Sequence, residues 1–486
     1  MKRSSTIILF IIMLGIFLSP VNGLTTQQQT KIQTLLDQAQ QTSGVPGISV
    51  VILVGEQEYF YNTGTANRES KILANEYTIY ELASLSKAFT ALGILRLEQQ
   101  GLLSMTDAIE QYIPEFKIKY KEAFIEPKDL TLQHFLNHRS GLTNRKHLQY
   151  ISQGDGPQMI QKTVEGLVDT ELAFYPGERY EYGTMNYDVL GRMIEVVSGL
   201  SYQQYIQTEI LLPLGLKDTY LDGETAFQTG RLAQGYRSQF LVTQRYEAPV
   251  YAGNLPAGYI RSSTKDMARW MSLQMGLVDD ISKEHQQIVL KSHQPTQNTT
   301  RDETVYAGGW LVNLDQNMIE HPGTNPTFAT RIKMDLKNQI GITLLANGSH
   351  LNLEVVDDLY HIVQGNVHQK YSVSPLQRLD HVLTILTISL IVSTMFIWLK
   401  LMPGLKQRLS LKTKRTFCLY KFGIIMTSVL LILSLFVPQF FGYPWSIVFI
   451  WYPYSLLTSM VTLILFSASL TYYFYRKYVS EQGECL

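Results

Sequence analysis

Apolar residues gather at the two ends of the chain and alternate with polar ones between them. Residues 7–18 form a short uncharged run behind Lys2 and Arg3, followed by Pro20 and the small-residue site Val21-Asn22-Gly23. A basic start, a short apolar stretch and small residues at a break make a secretory signal over residues 1–23, with cleavage expected after Gly23. At the other end, residues 381–399 carry no Asp, Glu, Lys or Arg and reach the about 20 apolar residues that cross a bilayer. Residues 422–475 are again uncharged and are interrupted by Pro438, Gly442 and Pro444. That run is too long for one helix and suits two joined by a tight turn. The pattern predicts three spans, at about residues 381–399, 422–441 and 446–475.

Between these ends, residues 27–40 have helical spacing, with Ile32, Leu35 and Leu36 on one face, and Gly44-Val45-Pro46-Gly47 ends the helix. Residues 48–54 read as a buried strand, 58–63 as its hairpin partner, and about 84–100 as a helix. Towards the other side, residues 308–313, 329–336 and 339–346 alternate as strands, and 354–363 close with a helix. Residues 107–270 are rich in helix and loop. Strands at both ends with helices between predict a mixed α/β domain whose termini meet in one sheet. Residues 371–380, with Ser372, Ser374 and Pro375, read as a connector to the membrane.

Charge orients this plan. The 486 residues hold 41 basic and 41 acidic side chains, with 45% hydrophobic and 17% charged residues. That composition excludes a disordered chain and lacks the basic excess of a nucleic-acid binder. The neutral sum is a partition: +2 in the signal, −9 in residues 24–380 and +7 in the tail. Seven of the basic residues fall in residues 400–421, which contain no acid, and Arg476-Lys477 follow the last apolar run. Positive charge stays cytoplasmic, so the bulk domain lies outside, as the signal also requires. The two cysteines, Cys418 and Cys485, make neither a disulfide framework nor a thiolate cluster.

The sharpest chemical feature is Ser84-Leu85-Ser86-Lys87. On a helix that opens at Ser84, Lys87 lies one turn on along the same face. The hydroxyl then stands at a helix N-terminus, and a lysine of depressed pKa can act as its base. A plain N-cap beside a solvated lysine is the alternative, and Ser262-Ser263-Thr264-Lys265 repeats the spacing. There Ser263 and Asp266 fit a capping arrangement opening the helix that holds Met267 and Trp270, so Ser262 is assigned to structure. Two further segments join Ser84: Pro176-Gly177, leading to Tyr182-Gly183-Thr184 ahead of a helical run over 188–197, and His321-Pro322-Gly323-Thr324-Asn325.

Together these resemble the signature of the penicillin-recognising serine hydrolases: S-x-x-K, then a Tyr-x-Asn-like element, then H-x-G before an edge strand. The branch containing class C β-lactamases, D-aminopeptidases and related esterases is the most similar, and residues 131–142, from Thr131 to Ser140-Gly141-Leu142, resemble its T-x-x-x-L-L-x-H-x-S-G-L. The likeness covers nearly all of residues 24–363. It implies a serine β-lactamase-like α/β domain, an antiparallel sheet flanked by helices with a helix-rich subdomain, followed here by a three-helix membrane domain. It also implies Ser84 as nucleophile, Lys87 and Tyr182 as the proton-shuttling pair, with the phenol lowered by the ammonium, and the N–H groups of Ser84 and Thr324 as the oxyanion hole. His321 and Gly323 take the H-x-G positions, the histidine meeting substrate or Tyr182.

Thr184 departs from the Asn usual at the third position of the second motif, which puts β-lactam turnover in doubt. A small hydroxyl there, an exported domain and three C-terminal spans resemble a narrower group: the prodrug-activating peptidases of colibactin, zwittermicin and xenocoumacin/amicoumacin biosynthesis. That resemblance implies removal of an N-acyl-D-asparagine cap from an exported peptide or polyketide precursor. Thr184, Asn254 and Asn325 are the expected partners of the D-Asn amide, with turn chemistry the competing account of both asparagines. A bilayer and an exporter of the precursor are the expected partners, and no cofactor or metal is expected. A cell-wall D-amino-acid peptidase or esterase, and a non-catalytic sensor or export accessory, remain open. His134 and His138 lack an H-E-x-x-H context. There is no G-x-S-x-G elbow, and Trp445 and Trp451 read as interfacial anchors rather than ligand contacts.

Overall fold

The computed structural model describes residues 23–295, 304–366, 371–402, 413–436 and 442–483. The expected signal, apart from Gly23, lies outside these residues, as do residues 403–412 of the basic loop and residues 437–441.

The chain opens with helix α1 (Thr26–Ser43). Thr25 caps it by accepting from Gln28 N–H while the Gln28 side chain returns to the cap, and Gly44 closes it in the left-handed region at φ 71°. Strands β1 (Gly47–Val54) and β2 (Gln57–Asn67) follow as a hairpin, with β3 (Ile72–Leu73) at the edge. The sheet is completed from the far end of the domain by β4 (Thr304–Ala307), β5 (Trp310–Asn313), β6 (Met318–Thr324), β7 (Ala329–Asp335) and β8 (Ile340–Ala346). The order is β4-β5-β6-β7-β8-β1-β2-β3, antiparallel throughout. Register from Ile48 opposite Ala346 to Val54 opposite Ile340 joins the two ends of the domain.

β1 is buried along its whole length because both faces of the sheet are covered, which is why it reads as a continuous apolar run. Ile48, Val50 and Ile52 pack with Ile32, Leu35 and Leu36 of α1 and with Val355 and Leu359 of α5 (Val355–Val363). Val51 and Leu53 face the larger core, built on α2 (Ser86–Gln99), α3 (Met185–Ser198) and α4 (Thr264–Gln274). Ser263 caps α4 by accepting from Asp266 N–H, the structural role expected there. The strand expected from residue 308 starts at Trp310, because Gly308 and Gly309, at φ 50° and 91°, make the turn from β4.

The C-terminal region differs from expectation in two places. Residues 371–380 are not all connector: Ser374 accepts from Gln377 N–H and Pro375 takes the first turn, so α6 runs unbroken over Pro375–Leu401. The third expected span is divided at Tyr452-Pro453, where the missing proline N–H stops the helix, into α8 (Trp445–Trp451) and α9 (Tyr454–Gly483). By length and composition, two helices suit a bilayer crossing among the described residues, Pro375–Leu401 and Tyr454–Arg476. Over the middle expected span lies α7 (Thr413–Leu435), whose described apolar stretch, Lys421–Leu430, is shorter.

α2 is enclosed on nearly every side, and its Phe89 ring stacks on Trp270 of α4 with centroids 4.0 Å apart. Replacing Trp270 by Ala should lower the unfolding free energy by about 3–5 kcal/mol, read from denaturant titration of the detergent-solubilised protein. A loss within the about 0.5 kcal/mol typical of surface positions would contradict this packing.

Candidate active site

The expected helix at residue 84 starts slightly later, and the delay shapes the site. A short strand, Ile79–Glu81, pairs with Arg261–Ser263. Leu82 N–H then donates to Ile260 O at 2.8 Å, and Thr330 Oγ1 donates to Leu82 O at 2.8 Å. Ala83 turns into the left-handed region at φ 49°, a costly conformation for a residue with a Cβ. Ser84 sits in the 3₁₀ turn Ala83–Leu85, and α2 begins at Ser86. The end of β6 lies against this turn. A Cβ on Gly323 would stand 2.8 Å from Leu82 O and 3.1 Å from the Ala83 Cβ, so only glycine admits the approach that brings Thr324 to the cleft beside Ser84.

Lys87 is fully buried. Its ammonium donates to Ser84 Oγ at 3.2 Å, Thr184 Oγ1 at 3.2 Å and Ala257 O at 2.7 Å, and Tyr182 Oη donates to the same Ser84 Oγ at 2.9 Å. The three expected residues therefore meet at one oxygen. Burial drives the Lys87 pKa down to about 7, with the Asp188 carboxylate opposing the shift. Tyr182 moves the other way from expectation. Enclosure of its ring raises the phenol pKa, and Tyr180 and Asp188 add to the rise. Desolvation of the phenolate dominates, so near neutrality Tyr182 keeps its proton and donates to Ser84 Oγ, and Lys87 is the group at this oxygen that holds its proton less tightly than usual.

Thr184 and Asn254 take a different position from the one expected. With its amide nitrogen turned to Asp188, Asn254 donates to both carboxylate oxygens at 3.0 and 3.1 Å, and the same atom stands 3.3 Å from Thr184 Oγ1. The two residues thus bridge Lys87 to Asp188. Asn144 holds the Thr184 backbone, accepting from its N–H at 2.8 Å. Asp188 was not among the expected site residues. Its signal was an acid one helical turn beyond Thr184, in the first turn of α3, where the helix dipole favours negative charge.

Asn325 reaches the cleft from the end of β6. Its amide donates to Glu81 Oε2 at 2.8 Å and to Gly258 O at 2.9 Å, and Glu81 is paired with Arg261 at 3.2 Å. With these donors engaged, what Asn325 offers a ligand is its oxygen. His321 Nδ1 donates to Pro322 O at 2.6 Å, and its Nε2 accepts from Tyr306 Oη at 3.1 Å. Burial and the Lys87 charge push its pKa down to about 3, so it lines the cleft as a neutral ring, 6.0 Å from the Tyr182 ring centroid. His134 and His138 serve separate local roles. The first accepts from Thr131 N–H at 3.1 Å, and the second, buried 4.4 Å from the Tyr182 ring, accepts from Gly183 N–H at 3.3 Å.

These groups open into a cleft of about 540 Å³. Ser84, Tyr182, Thr184, His321, Thr324 and Asn325 line one side, and Tyr443, Ile447, Trp451 and Tyr452 line another. Trp451 is therefore a cleft residue rather than the interfacial anchor expected. The break at Tyr452-Pro453 carries α8 to the cleft instead of continuing it into α9.

A family model described as Beta-lactamase matches residues 32–366. Protein flp of Staphylococcus aureus is 31% identical over 355 residues, covering 72% of this chain and 69% of that protein. Penicillin-binding protein 4* of Bacillus subtilis is 26% identical over 336 residues, covering 65% and 71%. Among solved structures, the octameric penicillin-binding protein homologue from Pyrococcus abyssi matches with a TM-score of 0.61 at 25% identity, over 73% of this chain and 81% of that one. A class C β-lactamase mutant has the same fold, with a TM-score of 0.60 at 20% identity, over 70% and 97%. With Ser84, Lys87 and Tyr182 converging beside this cleft, the chain belongs to the β-lactamase and penicillin-binding-protein family of serine hydrolases.

Proposed function

We propose that the chain is a membrane-anchored peptidase on the outer face of the plasma membrane. It removes an N-acyl-D-asparagine cap from an exported nonribosomal peptide or polyketide precursor, through an acyl-enzyme on Ser84. The observation that carries the reaction type is the meeting of Lys87 Nζ and Tyr182 Oη at Ser84 Oγ, 3.2 and 2.9 Å away.

The neutral Lys87 amine takes the Ser84 proton as Oγ bonds to the carbonyl carbon of the cap. The resulting oxyanion faces the backbone N–H groups of Ser84 and Thr324. Tyr182 donates its proton to the departing amine and is reprotonated from the Lys87 ammonium, so the C–N bond breaks with proton balance kept. Water then adds to the ester, losing its proton to Lys87, which returns it to Ser84 Oγ as the Oγ–C bond breaks and the acylated asparagine leaves. The amide of a D-Asn side chain finds an acceptor in Asn325, which Glu81 and Gly258 hold in place.

A D-amino-acid peptidase or esterase accepting a smaller side chain is the second reading. The engagement of Thr184 and Asn254 with Lys87 and Asp188 favours it, because fewer polar groups remain for an amide. Acyl-D-Asn, acyl-D-Ala and acyl-L-Asn anilides separate the two. The D-Asn substrate should exceed the others in kcat/KM by about 10²-fold, and Asn325→Ala should erase most of that margin. Equal turnover of the three would overturn the cap reading and leave the second. A non-catalytic sensor is tested by Ser84→Ala: normal membrane levels with precursor maturation lost count against it, and maturation intact would establish it.

The protonation states give a pH profile. Below pH 7 Lys87 carries its proton and cannot accept another, so kcat/KM should rise tenfold per unit up to about pH 7 and then level off. The raised Tyr182 pKa keeps its donor proton across the plateau. Lys87→Arg, a permanent cation, should lose activity by about 10²-fold or more at every pH. A profile centred near the ordinary lysine value would overturn the depressed Lys87 pKa, and a Lys87→Arg variant with wild-type activity would remove Lys87 as the base.

A further inference from the structure

The cleft is built from two separate parts of the chain. The reacting groups come from the sheet domain, whereas Leu376, Tyr443, Ile447, Trp451 and Tyr452 come from the segments around α6, α8 and α9. These contribute a largely apolar part of the lining of the cleft that also holds Ser84, with no task in the proton transfers above.

The two parts are fastened to each other. Asp380, in the second turn of α6, is fully buried. It accepts from Ser238 Oγ at 2.9 Å, Phe240 N–H at 3.1 Å and Leu241 N–H at 3.1 Å, all on the hairpin Tyr236–Gln239 and Val242–Arg245 or its turn. A fourth donor, Ser455 Oγ at 2.7 Å, comes from the first turn of α9. Arg237 of the same hairpin donates to Ile450 O at 3.0 Å, one residue before Trp451, and its guanidinium lies 4.3 Å from the Tyr454 ring centroid. The starts of α6 and α9, the two helices long and apolar enough to cross a bilayer, are thus held together at the mouth of the cleft.

We infer that Tyr443, Ile447 and Trp451 form a subsite for the alkyl chain of the substrate's acyl group, which enters the cleft from the bilayer side. The inference rests on the reading of Ser84 as acylated by an acyl amino acid. In that intermediate the acyl chain stays on the enzyme while the amine leaves, so it needs a place within reach of Ser84. Continuity of the wall with the apolar helices lets a chain of lipid character move from the membrane to the cleft without exposing itself to water. Aromatic side chains suit the contact, giving large apolar area with few rotatable bonds.

The test uses the full chain in detergent or nanodiscs, with acetyl, hexanoyl and decanoyl substrates built on both D-Asn and D-Ala anilides. In the wild type, kcat/KM should climb with chain length, by at most about fourfold per buried methylene. Trp451→Ala should cut the decanoyl-to-acetyl ratio at least tenfold. Trp445→Ala, on the same short helix but outside the cleft lining, should leave that ratio unchanged. Ile447→Ala makes a smaller cut and repeats the test if Trp451→Ala accumulates poorly. A wild-type rate independent of chain length, or a ratio equal in wild type and both cleft variants, would overturn the subsite. Loss of D-Asn preference with the ratio still falling in the D-Ala series would sink the cap reading alone and leave the subsite standing.

Discussion

Removing the Lys87 amine from water is the constraint around which the rest of the site is arranged. A fully buried ammonium is tolerated only with its protons accepted, and Ser84, Thr184 and Ala257 supply the three acceptors. None is a carboxylate, so desolvation wins and the amine approaches neutrality at physiological pH. Asp188 sits close enough to oppose that shift, yet its oxygens are occupied by Asn254. Its own burial raises its pKa. The fold lowers the lysine pKa by withholding an ion pair rather than by providing one.

The left-handed Ala83 and the close approach of Gly323 belong to the same arrangement. In the proposed reaction Ser84 must stand at the end of a helix whose other residues are buried, while its backbone N–H stays available to a developing oxyanion. A 3₁₀ turn ahead of α2 meets both demands, and the backbone strain at Ala83 is held by hydrogen bonds from Leu82 to Ile260 and from Thr330 to Leu82. Backbone, strand edge and helix start form one unit, and the side chains at the oxygen are aimed by it.

How much of this the sequence disclosed follows the range of each interaction. Ser84 and Lys87 are three residues apart, and the Tyr182 and His321 segments each carry a local pattern, so the parts of the site were legible before their assembly was seen. The sheet that joins β1 to β8 was legible for a similar reason, because a strand buried on both faces has a continuous apolar run. What was hidden depends on contacts across the chain. The rise in the Tyr182 pKa, the engagement of Asn254 with Asp188 and the hold of Glu81 on Asn325 come from residues tens to hundreds of positions apart, and no local spacing encodes them. Apolar content alone also joined α8 to α9, although Tyr452-Pro453 carried the break in plain sight.

The junction between the cleft and the two helices long and apolar enough to cross a bilayer bears on what the proposed anchor is for. Holding an enzyme near a surface needs only a linker, and a flexible one raises local concentration without fixing orientation. Here the chain buries a carboxylate among four donors and stacks a guanidinium on aromatic rings at the joint. A buried charge is costly unless every partner is in place, so any tilt of α6 or α9 against the hairpin would leave polar groups unsatisfied. An arrangement of that cost is unnecessary for tethering and sufficient for holding Trp451 in the lining of the cleft that contains Ser84. In the proposed reaction the distance from bilayer to scissile bond is set by the fold, and a substrate is selected by where its apolar part begins as well as by the groups it presents to Asn325.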